Sequence, residues 1–140
     1  MAPLTSRREK TRVLGHVERI HSLPLKATTQ VYAGGIAMID AGYGRPGGTA
    51  LNLIAVGRWA QTVNNTGSAG AKEALAEEGT FLWDNSSAGD LITQADLFKD
   101  CYVVDDQTVA KTDGTGTRSR AGKIHKVTAE GVYVRMGVGI

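Results

Sequence analysis

The stretch from Phe81 to Met136 most restricts what this chain can fold into. Short apolar runs alternate there with turn signals at Asp84-Asn85-Ser86, Asp105-Asp106, Asp113-Gly114 and Glu130-Gly131. Runs of this kind, bounded by Asp, Asn, Ser and Gly, read as β-strands joined by turns. The last part predicts a hairpin: Gly122 to Val127, a turn over Thr128 to Gly131, then Val132 to Met136. Alternation puts Val132, Val134 and Met136 on one face and Tyr133 and Arg135 on the other. Cys101 to Val104 is a further strand, and Thr108-Val109-Ala110 follows the turn Asp105-Asp106-Gln107. Trp83, Tyr102, Val104, Val132 and Val134 are the expected packing residues. Thr93 to Asp96 has the form of one capped helical turn. Lys111 to Arg120 reads as an open loop.

The earlier chain continues the pattern with longer breaks. Gln30 to Asp40 predicts a strand apolar on both faces, hence covered on both sides, with Gly34-Gly35 marking a bulge or a close backbone approach. Ala41 to Ala50 holds four glycines and Pro46, which predicts a loop. Leu51 to Val63 is a second strand region that Gly57 can bend. If its register holds, Leu51, Leu53, Ala55, Trp59 and Val63 share a face. Asn64 to Gly70 is a turn. Ala71 to Glu78 has helical composition, yet Gly70 and Gly79 confine it to about two turns and Glu73 and Glu77 repel at i,i+4. Tertiary pairing overrides such propensity, and a strand through Leu75 to Trp83 is expected.

Residues 1–27 are different. They carry Arg7, Arg8, Lys10, Arg12, Arg19 and Lys26 against Glu9 and Glu18, a local charge of +4 in a chain of net +2, so the remainder is −2. A basic leader on a slightly acidic body suggests an arm that seeks an acidic neighbour. Ser6 to Glu9 fits a capping box, and Val13, Val17 and Ile20 fall on one helical face. Gly15, the β-branched residues and Pro24 weigh against a helix. An extended arm is favoured, with a helix as the alternative. The expected organisation is a basic arm at 1–26 and one mainly β domain at 27–140, with at most one or two helical turns.

Composition narrows the function. With 140 residues the chain suits one domain, and 18 glycines beside two phenylalanines and two tryptophans imply many turns and an aliphatic core. Cys101 stands alone, which rules out an intrachain disulfide; within Cys-Tyr-Val-Val it reads as a small buried hydrophobe. No apolar run approaches the roughly 20 residues a membrane helix needs, and no secretory signal follows the N-terminal charges. His16, His21 and His125 show no metal spacing, and His125 lacks the partner a catalytic base requires. Asp105-Asp106 can bind a cation through oxygen, but one turn without a ligand ladder points to capping of turn amides. Gly42-x-Gly44-x-x-Gly47 spells a dinucleotide fingerprint, but contains Pro46 and precedes no helix. No cofactor and no metal is expected. The arm has no aromatic side chains for base stacking, so a solvated or protein-binding arm is favoured over a nucleic-acid contact.

Several short stretches come in a characteristic order. They are Val31-Tyr32-Ala33-Gly34-Gly35, Gly42-Tyr43-x-x-Pro46, Val56-Gly57-Arg58 and Val63-Asn64-Asn65-Thr66-Gly67, then Asp84-Asn85-Ser86, Cys101 to Val109, Arg118-Ser119-x-Ala121-Gly122 and Gly131 to Val134. Over about residues 27–138 the chain thereby resembles small proteins encoded among the head genes of tailed bacteriophages and Mu-like prophages, the capsid decoration (cement or minor capsid) proteins. Asp105-Asp106-Gln107-Thr108-Val109 is the best single marker. The resemblance implies a β-barrel or β-tulip-like domain on the outer surface of the virion capsid, made in the host cytoplasm. It implies the major capsid protein as partner, at capsomer junctions, and a homo-oligomer, a trimer being favoured over a dimer. It further implies a non-enzymatic role, stabilising the assembled head against DNA pressure. The arm residues Arg7, Arg8, Lys10, Arg12, Val13, Val17, Arg19 and Ile20 are then the candidate grip on the shell. The alternatives are a head–tail joining or tail protein and, more remotely, a nucleic-acid-binding module using the arm.

Overall fold

A strand buried on both faces needs a layer on each side, and Ile36, Ala37 and Met38 are fully buried in succession. The computed structural model, which describes residues 19–140, supplies both layers. In chain order the strands are β1 (Ile20–Pro24), β2 (Thr29–Val31), β3 (Ile36–Asp40), β4 (Tyr43–Pro46), β5 (Ile54–Trp59) and β6 (Val63–Asn65). They continue as β7 (Glu73–Glu77), β8 (Gly79–Trp83), β9 (Asp100–Val103), β10 (Val109–Ala110), β11 (Arg120–Thr128) and β12 (Gly131–Met136). A first sheet has the order β1-β7-β5-β3-β4, a second β10-β9-β11-β12-β8, and β2-β6 form a small third sheet. All ladders between these strands are antiparallel. The domain is small, single and mainly β; among the described residues the helical parts are two short 3-10 turns at Ala88–Asp90 and Gln94–Asp96.

Two cores follow from these layers. Ile36, Met38 and Leu53 pack with Trp83, Cys101, Val103, Ile124, Val132 and Val134 between the first and second sheets. Ala37, Val56 and Trp59 pack with Leu25, Val31, Ala74 and Ala76 on the other side of the first sheet. The hairpin parity holds: Val132, Val134 and Met136 are buried, while Arg135 is exposed. The turn at Thr93 also holds. Thr93 N–H donates to Asp96 Oδ2 at 2.8 Å, closing a capping box around a buried Asp96.

Other expectations are corrected. Gln30 to Asp40 is not one strand. Gly34, at φ +91°, closes a turn in which Gly35 N–H donates to Tyr32 O, and the chain passes from the small sheet to the first. Ala41 to Ala50 is not all loop. Ala41 and Gly42 both have positive φ, as a two-residue hairpin turn requires, so Tyr43 to Pro46 pairs back on β3 as an edge strand. The shared face over Leu51 to Val63 fails at a bulge: Met38 pairs with Ala55 but Ala37 with Gly57. Val56 is the extra residue, which moves Trp59 into the core opposite Leu53. A side chain at Gly57 would strike the carbonyl oxygen of Glu77, so glycine is required there. The strand through Leu75 to Trp83 is divided at Glu78 into β7 and β8, which lie in different sheets. Tyr102 and Val104 are half-buried on the outer side; Cys101 and Val103 point into the core instead.

The arm's end also has a structure. Ile20 to Pro24 pairs residue by residue with Glu77 to Glu73, so this stretch is an edge strand of the first sheet. Arg7, Arg8, Lys10, Arg12, Val13 and Val17, and the capping box at Ser6, lie outside the described residues.

Candidate functional site

The motifs quoted above converge, but on joints between sheets rather than on reactive groups. Asp105 accepts the Gln107 N–H at 2.9 Å, as a turn cap does. Asp106 O accepts from Ile36 N–H at 2.8 Å, fastening the Gly34-Gly35 turn to the β9–β10 turn. Asp84 N–H donates to Gln107 O, and Val109 N–H donates to Asp84 O. Asn85 closes both ends of its loop on the backbone of Ile92, each at 2.9 Å. Within the apparent dinucleotide fingerprint, Gly44 lies in β4 under Trp59 and Leu25, and Gly47 N–H donates to Ile36 O. These glycines allow close packing of backbone; they do not cradle a phosphate.

The titratable groups are similarly absorbed. Cys101 is buried, and burial pushes its thiol up to about 12, so it is inert as a nucleophile at neutral pH. His125 is exposed on β11. Among the described residues, no group of three or more His, Cys, Asp or Glu side chains is placed to hold a metal ion, and no helix is long and apolar enough to cross a membrane. Lys26 donates to Asp40 at 2.6 Å and holds its carboxyl below the usual range. Partial burial works to raise Asp100, but hydrogen bonds from Lys123 and Arg120 outweigh it and the net effect is a lowering.

Three of the exposed large apolar side chains, Ile54, Phe98 and Val138, border depressions beside residues 137–140. This segment crosses the corner where β7 passes into β8. Glu78 organises the corner: its N–H donates to Arg19 O at 2.8 Å, its Oε2 meets His21 Nε2 at 2.6 Å, and its Oε1 accepts from Val138 N–H at 3.0 Å. The base of the arm and segment 137–140 are thus clasped by one carboxylate. Arg58 strengthens the same corner, bound to Glu77 at 2.6 Å while its guanidinium lies 4.5 Å over the Phe81 ring. Three shallow depressions flank the segment. Arg19, His21, Arg135 and Val138 line the first, Ile54, Arg120 and Val138 the second, and Phe98, Lys123, His125 and Arg135 the third; Ile140 borders all three. Ile54 is 63 % exposed, Phe98 71 % and Val138 71 %.

Of the arm residues named as candidate contacts, Arg19 and Ile20 are described; Arg19 lines the first depression and Ile20 is exposed at the start of β1. Sequence reasoning missed Ile54, Phe98 and Val138. The signal for Phe98 was its place directly after a capped turn, where an aromatic residue has no strand face on which to be buried. Comparisons with protein-family models, curated proteins and solved structures yield no match for this chain.

Proposed function

We propose that this chain is a non-enzymatic structural protein of the phage virion, which binds the outer surface of the assembled head at capsomer junctions and stabilises it. One observation carries the proposal. A rigid β body displays apolar side chains, Ile54, Phe98 and Val138, on the face from which the basic arm departs at Arg19. Exposed apolar side chains rimmed by polar and basic ones are a feature of interaction sites. A body fixed by paired strands loses little conformational freedom on docking, which favours binding. The ordered motif series that resembles decoration proteins supports the same reading, because those motifs build the joints of this scaffold.

The mechanism follows from mass action. A protein that binds only the expanded, assembled lattice shifts the equilibrium away from disassembly in proportion to its occupancy. The partner is the major capsid protein. A trimer on a local three-fold axis, or a dimer on a two-fold axis, would multiply weak contacts, and the arm can add a strand to a neighbour's sheet edge. The test is addition of the purified chain to undecorated expanded heads. Stoichiometric binding with a raised melting temperature supports the proposal; no binding refutes it. A single ring of copies at one vertex would instead assign the chain to the head–tail junction.

A further inference from the structure

Phe98 is held in a conformation that its own burial does not explain. Its backbone lies at φ +65°, in the left-handed region that bulky side chains rarely enter. The residue is 71 % exposed. The conformation is imposed from both sides: Phe98 N–H donates to Ile124 O at 2.8 Å, and Lys99 N–H donates to Asp96 O at 3.1 Å. Asp96 is itself locked by the capping box with Thr93. Strained residues that their surroundings over-determine gather at binding sites.

The ring borders a depression of about 440 Å³. Ile124 and Ile140 contribute its apolar lining, and Lys123, His125 and Arg135 its polar lining; no carboxylate side chain lines it. Lys123 and Arg135 are register partners on adjacent strands, so two cations stand side by side. Asp100, bound to Lys123 at 2.7 Å, offsets part of this charge, and exposed Lys99 adds to it.

We propose that this depression docks an acidic segment of a partner protein, an apolar side chain packing on Phe98 while a carboxylate meets Lys123 and Arg135. The proposal deepens the shell-binding reading and rests on it for the partner's identity: the segment belongs to the shell subunit. Charge complementarity selects the occupant. The chain's own leader is cationic, and the carboxylate of Asp105 is taken up in capping the Gln107 N–H. A nucleic-acid strand calls for a groove that tracks successive phosphates, whereas these cations surround one shallow, partly apolar depression.

The experiment uses the full chain, Phe98→Gly, the double variant Lys123→Glu/Arg135→Glu, and Lys72→Glu as a charge control away from the depression. Each is titrated onto undecorated expanded heads. Backbone NMR follows each with an acetylated, amidated Asp-Leu-Asp-Phe-Asp peptide and, separately, with a short duplex DNA. Phe98→Gly should raise the melting temperature, since glycine relieves the strained backbone, yet weaken head binding by roughly tenfold or more. The double variant should weaken it similarly and Lys72→Glu should not. The peptide should shift the amides of Phe98, Ile124 and Ile140. Unaltered head binding by Phe98→Gly and the double variant overturns the proposal while leaving the head reading intact. If the parent chain ignores heads, that reading fails, and the peptide decides: shifted amides retain an acidic-segment site and silent amides end it. Shifts caused by DNA alone, or self-association abolished by Phe98→Gly, would assign the depression to phosphate or to a second copy and overturn the proposal. Should Phe98→Gly lose stability, the double variant alone is decisive.

Discussion

Asn65→Asp preserves the shape of a buried side chain and reverses half of its hydrogen bonding. Asn65 is fully buried. Its Nδ2 donates to Lys26 O at 2.9 Å and to Ser68 O at 3.0 Å, and its Oδ1 accepts from Gly67 N–H at 3.1 Å. One amide thus ties the end of β6 to the segment after β1 and to the following turn. In the variant the Gly67 N–H keeps its acceptor, but the carbonyls of Lys26 and Ser68, and more distantly that of Leu25 at 3.4 Å, face a carboxylate oxygen. Two bonds of about 1 kcal/mol net are lost, and a desolvated charge is added. The expected cost at neutral pH is about 3–5 kcal/mol, a large part of the roughly 5–15 kcal/mol available to a domain. Asn65→Ala removes the bonds without adding charge, so it should cost about 2–4 kcal/mol. The sign of the pH dependence distinguishes the two. A protonated carboxyl can donate to one of the carbonyls, so the folded state favours the acid form and raises the introduced group's pKa above its unfolded value near about 3.9. The penalty relative to the parent chain is therefore smallest below that value and grows as pH rises through the folded pKa. Urea unfolding followed by Trp59 and Trp83 fluorescence, from about pH 4 to about pH 8, measures it against the parent at each pH. A deficit that does not change with pH, or no deficit at neutral pH, would refute the hydrogen-bond assignment.

Three further outcomes are expected. Removing residues 1–24 deletes β1, its ladder to β7 and the His21–Glu78 contact, and should cost about 2–4 kcal/mol in urea unfolding relative to a chain that begins at residue 19. Asp96→Ala should cost about 1–2 kcal/mol at neutral pH. The Thr93 N–H lowers the pKa of Asp96; its stabilisation is therefore present above the unfolded value and lost as pH falls through the lower folded one, so thermal melts of parent and variant should converge in acid. Trp83→Ala should cost about 3–5 kcal/mol and Tyr102→Ala distinctly less by equilibrium unfolding, because Tyr102 is only half-buried.

The β class and the terminal hairpin were legible because Val132, Val134 and Met136 alternate with polar neighbours, and alternation reports a face directly. Cys101 to Val104 is apolar at four successive positions, so periodicity left its parity open and the assignment to Tyr102 and Val104 fell on the outer side. Ala71 to Glu78 was correctly expected to pair in a sheet; β7 has strands on both edges, and that pairing overrides helical composition. Its division from β8 at Glu78 was hidden, since Glu78 serves contacts far away in sequence, at His21 and Val138. The hairpin at Ala41-Gly42 was obscured by glycine-rich surroundings, although the turn itself requires only two residues of positive φ. The exposed face was least legible. Ile54, Phe98 and Val138 come from three separate regions, and only the three-dimensional course of residues 137–140 brings them onto one surface.

Binding of the full chain to undecorated expanded heads, with the melting temperature of the heads recorded at each occupancy, tests the proposed shell-stabilising role most directly. The isotherm should saturate at a lattice-wide number of copies, and the melting temperature should rise with occupancy. Heads that bind no protein, or that saturate without any gain in melting temperature, would contradict that role.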